Sequence, residues 1–125
     1  GMPGNILFDF GDMVRSITSI AKEDEKNLSK VEFNIDHFQA LARGYFTPIK
    51  SNLHDDEKNN IYSGILSVIY VQGIRFLTDF LLGNIYYKTS YENHNLDRTK
   101  TQFKLLQGVI SKQSEIATIL DEILV

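Results

Sequence analysis

The sequence predicts an all-α fold of about four to five helices in one domain spanning residues 1–125. Over residues 61–82 and 96–124 the apolar residues recur at intervals of three or four, which is the spacing of one helix face. Residues that start or stop helices, such as Asn34 and the pair Gly83–Asn84, stand at the edges of these stretches. The chain is 42% hydrophobic and 23% charged, so it has enough apolar surface for a packed core.

The N-terminal half begins with a short apolar run, residues 6–10, which we expect to be an extended segment. Asp12 suits the N-cap of a first helix, because helically spaced apolar residues follow it. Asn34 or Asp36 can cap a second helix, and Gly44 is placed to end it.

The C-terminal half predicts two further long helices. Acidic residues favour a helix start at 55–57, and one long helix is expected from there through residue 82. Gly83–Asn84 supplies the left-handed stop. An aromatic loop, residues 85–91, follows, and Asn95 is predicted to cap the last helix.

Composition excludes several classes of protein. The absence of cysteine excludes a disulfide scaffold and thiol catalysis, and a net charge of −3 without a Lys/Arg cluster argues against a nucleic-acid partner. The longest apolar tract carries Arg75 and Asp79, so we do not expect it to span a membrane. No targeting segment is visible, which predicts a cytoplasmic protein, and Gly1 before Met2 is interpreted as a residue left by tag removal.

The chemistry-bearing motifs are few. Asp9-Phe10-Gly11 spells the magnesium-binding tripeptide of protein kinases, but the eight residues before Asp9 contain no catalytic Asp. We therefore expect Asp9 and Asp12 to be structural carboxylates, buried or capping, and we expect no metal site. The three histidines have no metal-ligand spacing and are predicted to lie on the surface or in loops.

Arg75 and Asp79 stand one turn apart on the long predicted helix. They either form a surface ion pair or project into a pocket, because their neighbours are too apolar for a fully solvated stretch. Tyr86 and Tyr87, just beyond Gly83, are either core or interface aromatics or ligand-binding groups that approach Arg75.

Three blocks of the sequence carry a family resemblance. Residues 2–16 read MPGNILFDFGDMVRS, residues 73–87 read GIRFLTDFLLGNIYY, and residues 94–99 read HNLDRT, with Gln102 following. Together they resemble the C-terminal part of the aminoglycoside phosphotransferase/choline kinase-like superfamily, in its N-acetylhexosamine kinase branch. The resemblance covers nearly the whole chain.

The resemblance implies the helical C-terminal subdomain of a protein-kinase-like fold and the acceptor-binding side of an ATP-dependent hexosamine phosphotransferase. It implies that Arg75 and Tyr86 face the sugar, and that Asp9 or Asp12 braces the catalytic loop. ATP and magnesium are implied for an intact family member, but the nucleotide site, the catalytic loop and the metal ligand have no counterpart in this chain. We therefore expect a chain truncated of its catalytic half, with no cofactor and no activity of its own.

An alternative is a free-standing helical module for binding or oligomerisation, with no enzymatic role. For the truncated chain a homodimer is expected, with residues 6–8 or the last helix in the interface, because an unpaired strand at residues 6–8 and the aromatic loop, residues 85–91, would otherwise be uncovered. A monomer would favour the free-standing module. Sulfate hydrolysis is discounted, because sulfatases use a modified Cys or Ser followed two residues later by Pro and then Arg, and no such motif occurs in the sequence.

Overall fold

The computed structural model describes the backbone of residues 3–125 and the side chains from residue 6 onward. The expectation for Gly1 lies outside the described residues. The described part of the chain contains six α-helices and no strand, which confirms the all-α prediction. The helices are α1 (Pro3–Ile17), α2 (Ile35–Phe46), α3 (Asp55–Asn59), α4 (Ile61–Leu81), α5 (His94–Ser111) and α6 (Gln113–Leu124).

The expected extended N-terminal segment is wrong, because residues 6–10 belong to α1. Phe10 and Val14 are fully buried and lie one turn apart, so the apolar run continues a helical face. Asp12 therefore lies inside α1 and caps nothing. Gly11 lies inside α1 as well, where a Cβ would come within 2.8 Å of Val68 Cγ2 on α4. It permits a close helix crossing and does not end the segment.

The fold covers only part of the surface on which the homodimer prediction rested, since Ile85 and Tyr86 of the aromatic loop are 80% and 83% exposed. Ile6 and Leu7 pack against the core, while Phe8 is 55% exposed. The apolar face of the last helix, which includes Ile116 and Ile123, is buried. No unpaired strand exists at residues 6–8 to recruit a second chain.

The second helix begins as predicted, since the Asn34 side chain accepts a hydrogen bond from the backbone N–H of His37 at 3.0 Å. Gly44 does not end it, because α2 continues to Phe46. A Cβ at Gly44 would meet nothing within 4 Å, so this exposed glycine has no packing role.

The C-terminal half differs from prediction at two helix starts. The long helix is divided, because α3 ends at Asn59 and α4 begins at Ile61. Gly83 (φ 95°) and Asn84 (φ 61°) adopt the left-handed conformation, which confirms the predicted stop. Asn95 is not a cap: α5 already begins at His94, and the Asn95 side chain is buried.

Helix α4 is the centre of the fold, because it packs against both α1 and α5. It is also the one helix in residues 3–125 that is long and apolar enough to cross a membrane, judged by length and composition only. Its buried face includes Ile65, Ile69 and Phe76, and its C-terminal turns leave Leu81 and Leu82 exposed.

Candidate functional site

A cleft of about 440 Å³ lies where α4 ends and the chain turns back on itself. It contains both residues that the resemblance assigns to sugar binding. Its lining consists of residues from the end of α4 and from the reversal: Ile74, Arg75, Thr78, Asp79, Leu82, Tyr86 and Tyr87. Arg75 and Asp79 both line this cleft, and neither takes part in the ion pairs found in residues 3–125, so the predicted surface ion pair between them is not formed.

The reversal depends on Asp79. After the left-handed Gly83 and Asn84 turn the chain, the Asp79 carboxylate accepts hydrogen bonds from the backbone N–H of Tyr86 at 2.7 Å and of Tyr87 at 3.0 Å. Asp79 is 5% exposed, so these bonds form away from bulk water. They fix the backbone of both tyrosines relative to α4.

Asn95 ties this turn to α5. Its Nδ2 donates to Asp79 Oδ2 at 2.8 Å and to Asn84 Oδ1 at 3.1 Å, and its Oδ1 accepts from Arg98 Nη1 at 2.9 Å. Arg98 Nη1 also donates to the backbone oxygen of Lys88 at 3.1 Å. One fully buried asparagine thus connects the end of α4, the loop after it and α5.

The protonation state of Asp79 follows from these contacts. Burial raises the pKa of its carboxyl, but the backbone N–H groups of Tyr86, Tyr87 and Ile85 and the Asn95 amide donate to the ionised form and hold the pKa below its usual range. Asp79 is therefore a carboxylate at neutral pH.

Arg75 and Tyr86 present the cleft's polar groups. Arg75 takes part in none of the ion pairs found among residues 3–125. Tyr86 is 83% exposed, and its ring packs edge-on against Tyr87 at 4.9 Å. The Tyr87 hydroxyl accepts a hydrogen bond from Gln72 Nε2 at 3.2 Å. The cleft therefore offers a guanidinium and a phenol, supported by an anchored second ring.

Asp9 and Asp12 lie on α1. The prediction that they are buried or capping is wrong, because neither is fully buried and neither caps a helix. Asp12 accepts from Arg15 Nε at 3.1 Å, which is a structural ion pair within α1. Asp9 is exposed, because it falls on the solvent side of the same helix. Among the residues the structure describes, no group of three His, Cys, Asp or Glu side chains could hold a metal ion.

The prediction that the histidines lie on the surface or in loops is wrong for His94, which begins α5 and is only 6% exposed. Its Nδ1 accepts from the backbone N–H of Ser90 at 3.0 Å, so Nε2 carries the proton of the neutral ring and donates to Asp24 Oδ2 at 2.7 Å. The Tyr91 ring stacks on the imidazole at 4.6 Å. Both ring nitrogens are occupied, so His94 anchors the loop that contains Asp24 and has no nitrogen left for catalysis.

Two pKa values reflect this cluster. The hydrogen bond from His94 lowers the pKa of Asp24 and outweighs burial, which acts in the opposite direction. Burial, followed by the hydrogen bond to Asp97 at 2.7 Å, raises the pKa of Tyr91 to about 12. Sequence spacing could not reveal the pair, because Asp24 and His94 are 70 residues apart.

A comparison of the chain with protein-family models finds no match. The kinase resemblance of the three sequence blocks therefore stays a prediction. The geometry of the cleft is the stronger ground for assigning a function.

Proposed function

We propose that the chain is the acceptor-binding helical portion of an ATP-dependent phosphotransferase acting on an N-acetylhexosamine-like sugar. The observation that carries the proposal is the placement of Arg75 and Tyr86 on one cleft, beside a turn that Asp79 holds rigid. A site whose backbone is fixed before the ligand arrives loses less conformational entropy on binding.

The chemistry of the cleft suits a sugar that carries an acetamido group. The Arg75 guanidinium donates to hydroxyl and carbonyl oxygens, and the Tyr86 phenol both donates and accepts. Ile74 and Leu82 add apolar surface for the C–H face of the ring and for a methyl group. The Asp79 carboxylate is already occupied by backbone N–H groups and by the Asn95 amide, so its role is to hold the turn.

The phosphoryl-transfer groups of such an enzyme have no counterpart among these 125 residues, which contain neither a Gly-rich phosphate loop nor a catalytic-loop motif. In this proposal the chain contributes acceptor recognition, and other parts of the enzyme bind ATP and magnesium. We expect the chain alone to transfer no phosphate.

The test is a titration of the ¹⁵N-labelled chain with N-acetylglucosamine, with glucose as the ligand that lacks the acetamido group. We expect saturable shifts of the Tyr86 and Tyr87 amides with N-acetylglucosamine and weaker ones with glucose. Arg75→Ala and Tyr86→Ala should remove them, because each loses a direct contact.

Two matched variants control for loss of an exposed side chain. Tyr70→Ala removes a tyrosine that is 52% exposed on α4, and Arg43→Ala removes an arginine on α2; neither residue lines the cleft. Both should bind the sugar as the parent chain does. The proposal would be contradicted if the control variants lost sugar binding to the same extent, or if the amide shifts caused by the sugar were centred on other helices.

A second candidate is a module that assembles with a copy of itself. It is favoured by the exposure of Leu81 (72%), Leu82 (66%) and Ile85 (80%) at one end of α4, since clustered apolar surface often marks an interface. Light scattering should then show a dimer that Leu81→Ser/Leu82→Ser dissociates, whereas Ile20→Ser, at an 87% exposed residue outside this cluster, has no effect. A monomer at all concentrations contradicts this candidate.

A further inference from the structure

The imidazole of His94 lies at the junction of three parts of the chain. His94 begins α5, its Nδ1 faces the loop that follows α4, and its Nε2 faces the segment between α1 and α2. It is buried and does not line the cleft at Arg75. Nothing in the proposed acceptor site uses this side chain, so its role has to be inferred from its own contacts.

The contact at Nδ1 requires a neutral ring. The backbone N–H of Ser90 donates to Nδ1 at 3.0 Å. A ring nitrogen accepts a hydrogen bond only while it has a free lone pair, and the charged imidazolium has an N–H at both nitrogens. A proton on Nδ1 would therefore bring two donors face to face. Ser90 is exposed, so its amide can bond to water instead.

The contact at Nε2 favours the charged ring. Asp24 Oδ2 accepts from Nε2 at 2.7 Å, and the hydrogen bond from His94 holds the pKa of Asp24 below its usual range. Asp24 is therefore ionised between pH 5 and pH 8. A carboxylate at this distance stabilises an imidazolium more than a neutral imidazole. The two partners of His94 thus favour opposite protonation states.

The other charged groups near the ring do not bond to its nitrogens. The Tyr91 ring stacks on the imidazole at 4.6 Å, and the charged groups around it have partners of their own. These pairs are Lys26 with the Tyr91 ring, Asp97 with the Tyr91 hydroxyl, and Arg98 with Glu23. Among the residues that the structure describes, only Ser90 and Asp24 bond to the imidazole nitrogens.

We propose that the hydrogen bond from Ser90 to His94 is a proton-sensitive latch on the loop between α4 and α5. When His94 takes up a proton at Nδ1, the Ser90 amide leaves the ring and bonds to water. Asp24 stays at Nε2 as the partner of the imidazolium. The latch responds where histidine side chains change charge, between about pH 5 and 8.

The latch acts on only one end of this loop. At the other end the amides of Tyr86 and Tyr87 donate to the Asp79 carboxylate, whose pKa is held below its usual range by these bonds. Asp79 is therefore ionised over the same pH range and keeps both bonds. The two tyrosine amides provide an internal control for the release of Ser90.

The first test is an NMR titration of the ¹⁵N-labelled chain from pH 7.5 to pH 5. A scalar coupling between the Ser90 amide nitrogen and His94 Nδ1 exists only while the hydrogen bond is present. We expect this coupling at pH 7.5, with the ring proton on Nε2. It should be lost, and the Ser90 amide proton should shift upfield, with the same midpoint as protonation of the His94 ring. The amides of Tyr86 and Tyr87 should not follow this transition.

Two variants separate the partners of the ring. His94→Asn keeps an acceptor near the position of Nδ1 that takes up no proton, so the Ser90 amide shift should become independent of pH over this range. Asp24→Asn removes the charge that favours the imidazolium, so the midpoint should fall by about half a pH unit or more. Asp121→Asn, at an exposed aspartate on α6 outside the ion pairs of the described chain, should leave the midpoint unchanged.

Three results would overturn the proposal: a His94 ring that stays neutral down to pH 5, a coupling that persists in the protonated ring, or a midpoint that does not move in Asp24→Asn. A Ser90 shift in His94→Asn that follows the parent titration would overturn it as well. The titration of the parent chain and of Asp24→Asn decides the question even if His94→Asn does not fold. None of these readouts uses a sugar, so failure of the latch and failure of the proposed acceptor site are separate results.

Discussion

Replacing Asn95 with alanine should destabilise the chain by about 2–4 kcal/mol. The side chain is fully buried and makes three hydrogen bonds, two of them to the charged groups of Asp79 and Arg98. A hydrogen bond to a charged group contributes about 1.5–3 kcal/mol and a neutral one about 0.5–1.5 kcal/mol. In the variant, the partly exposed Arg98 and Asn84 can form hydrogen bonds to water instead. The loss of stability is therefore smaller than the sum of the three hydrogen-bond contributions.

The assay is urea and thermal unfolding followed by circular dichroism, together with amide exchange at Tyr86 and Tyr87. For a chain of this length the expected loss lowers the melting temperature by roughly 8–15 °C. Exchange at both tyrosine amides should accelerate more than exchange in the α1–α2 region, because Asp79 loses the donor that orients it.

Asn93→Ala is the matched control. Asn93 is exposed at the N-cap position of α5 and its side chain makes no capping hydrogen bond, so we expect a change within about 0.5 kcal/mol. If Asn95→Ala costs no more than Asn93→Ala, the buried network does not hold the turn and the rigid support of the cleft is refuted.

Two further predictions concern packing and pH. Gly73→Ala should lower the free energy of unfolding in urea by about 1 kcal/mol, because the new Cβ would lie 2.7 Å from Phe103 Cε1 and the strain exceeds the gain in helix propensity. Gly44→Ala is the control: its Cβ would meet nothing within 4 Å, so the free energy of unfolding should rise by about 0.5–1 kcal/mol. Equal effects would show that Phe103 moves aside freely. The folded-state pKa values of Asp79 and Asp24 are lowered from 3.8, so their stabilisation is present above that pH and is lost as the pH falls below about 4 through the folded values. Urea midpoints measured down the pH scale should fall there, and less so in Asp79→Asn; identical profiles would contradict the assignment.

Local signals in the sequence were sufficient for part of the fold. The Asn34 cap and the Gly83–Asn84 stop depend on neighbouring residues only, and the structure has both. The run at residues 6–10 was misjudged because five apolar-rich residues fit an extended segment and a buried helix face equally well. Its helical state depends on packing of α1 against α4, which the spacing of a short run does not reveal.

The main residues of the cleft could be predicted from the sequence, but the hydrogen bonds that hold them in place could not. Arg75 and Asp79 could be placed on one helix face from their spacing, and Tyr86 could be brought near them by the turn at Gly83. That Asp79 bonds the tyrosine backbone, and that Asn95 completes the contact, depends on partners 7 to 16 residues away. Pairings across loops follow from tertiary structure, and one sequence gives no pattern for them.

The central claim is that the cleft at Arg75 recognises the sugar acceptor, and steady-state kinetics of an active phosphotransferase that contains this segment tests it most directly. Arg75→Ala should raise KM for N-acetylglucosamine by about tenfold or more, the effect of losing a charged hydrogen bond to the substrate. KM for ATP should stay within about twofold, because Arg75 has no contact with the nucleotide in the proposed enzyme. Equal increases of both KM values would contradict the claim and make Arg75 part of the scaffold.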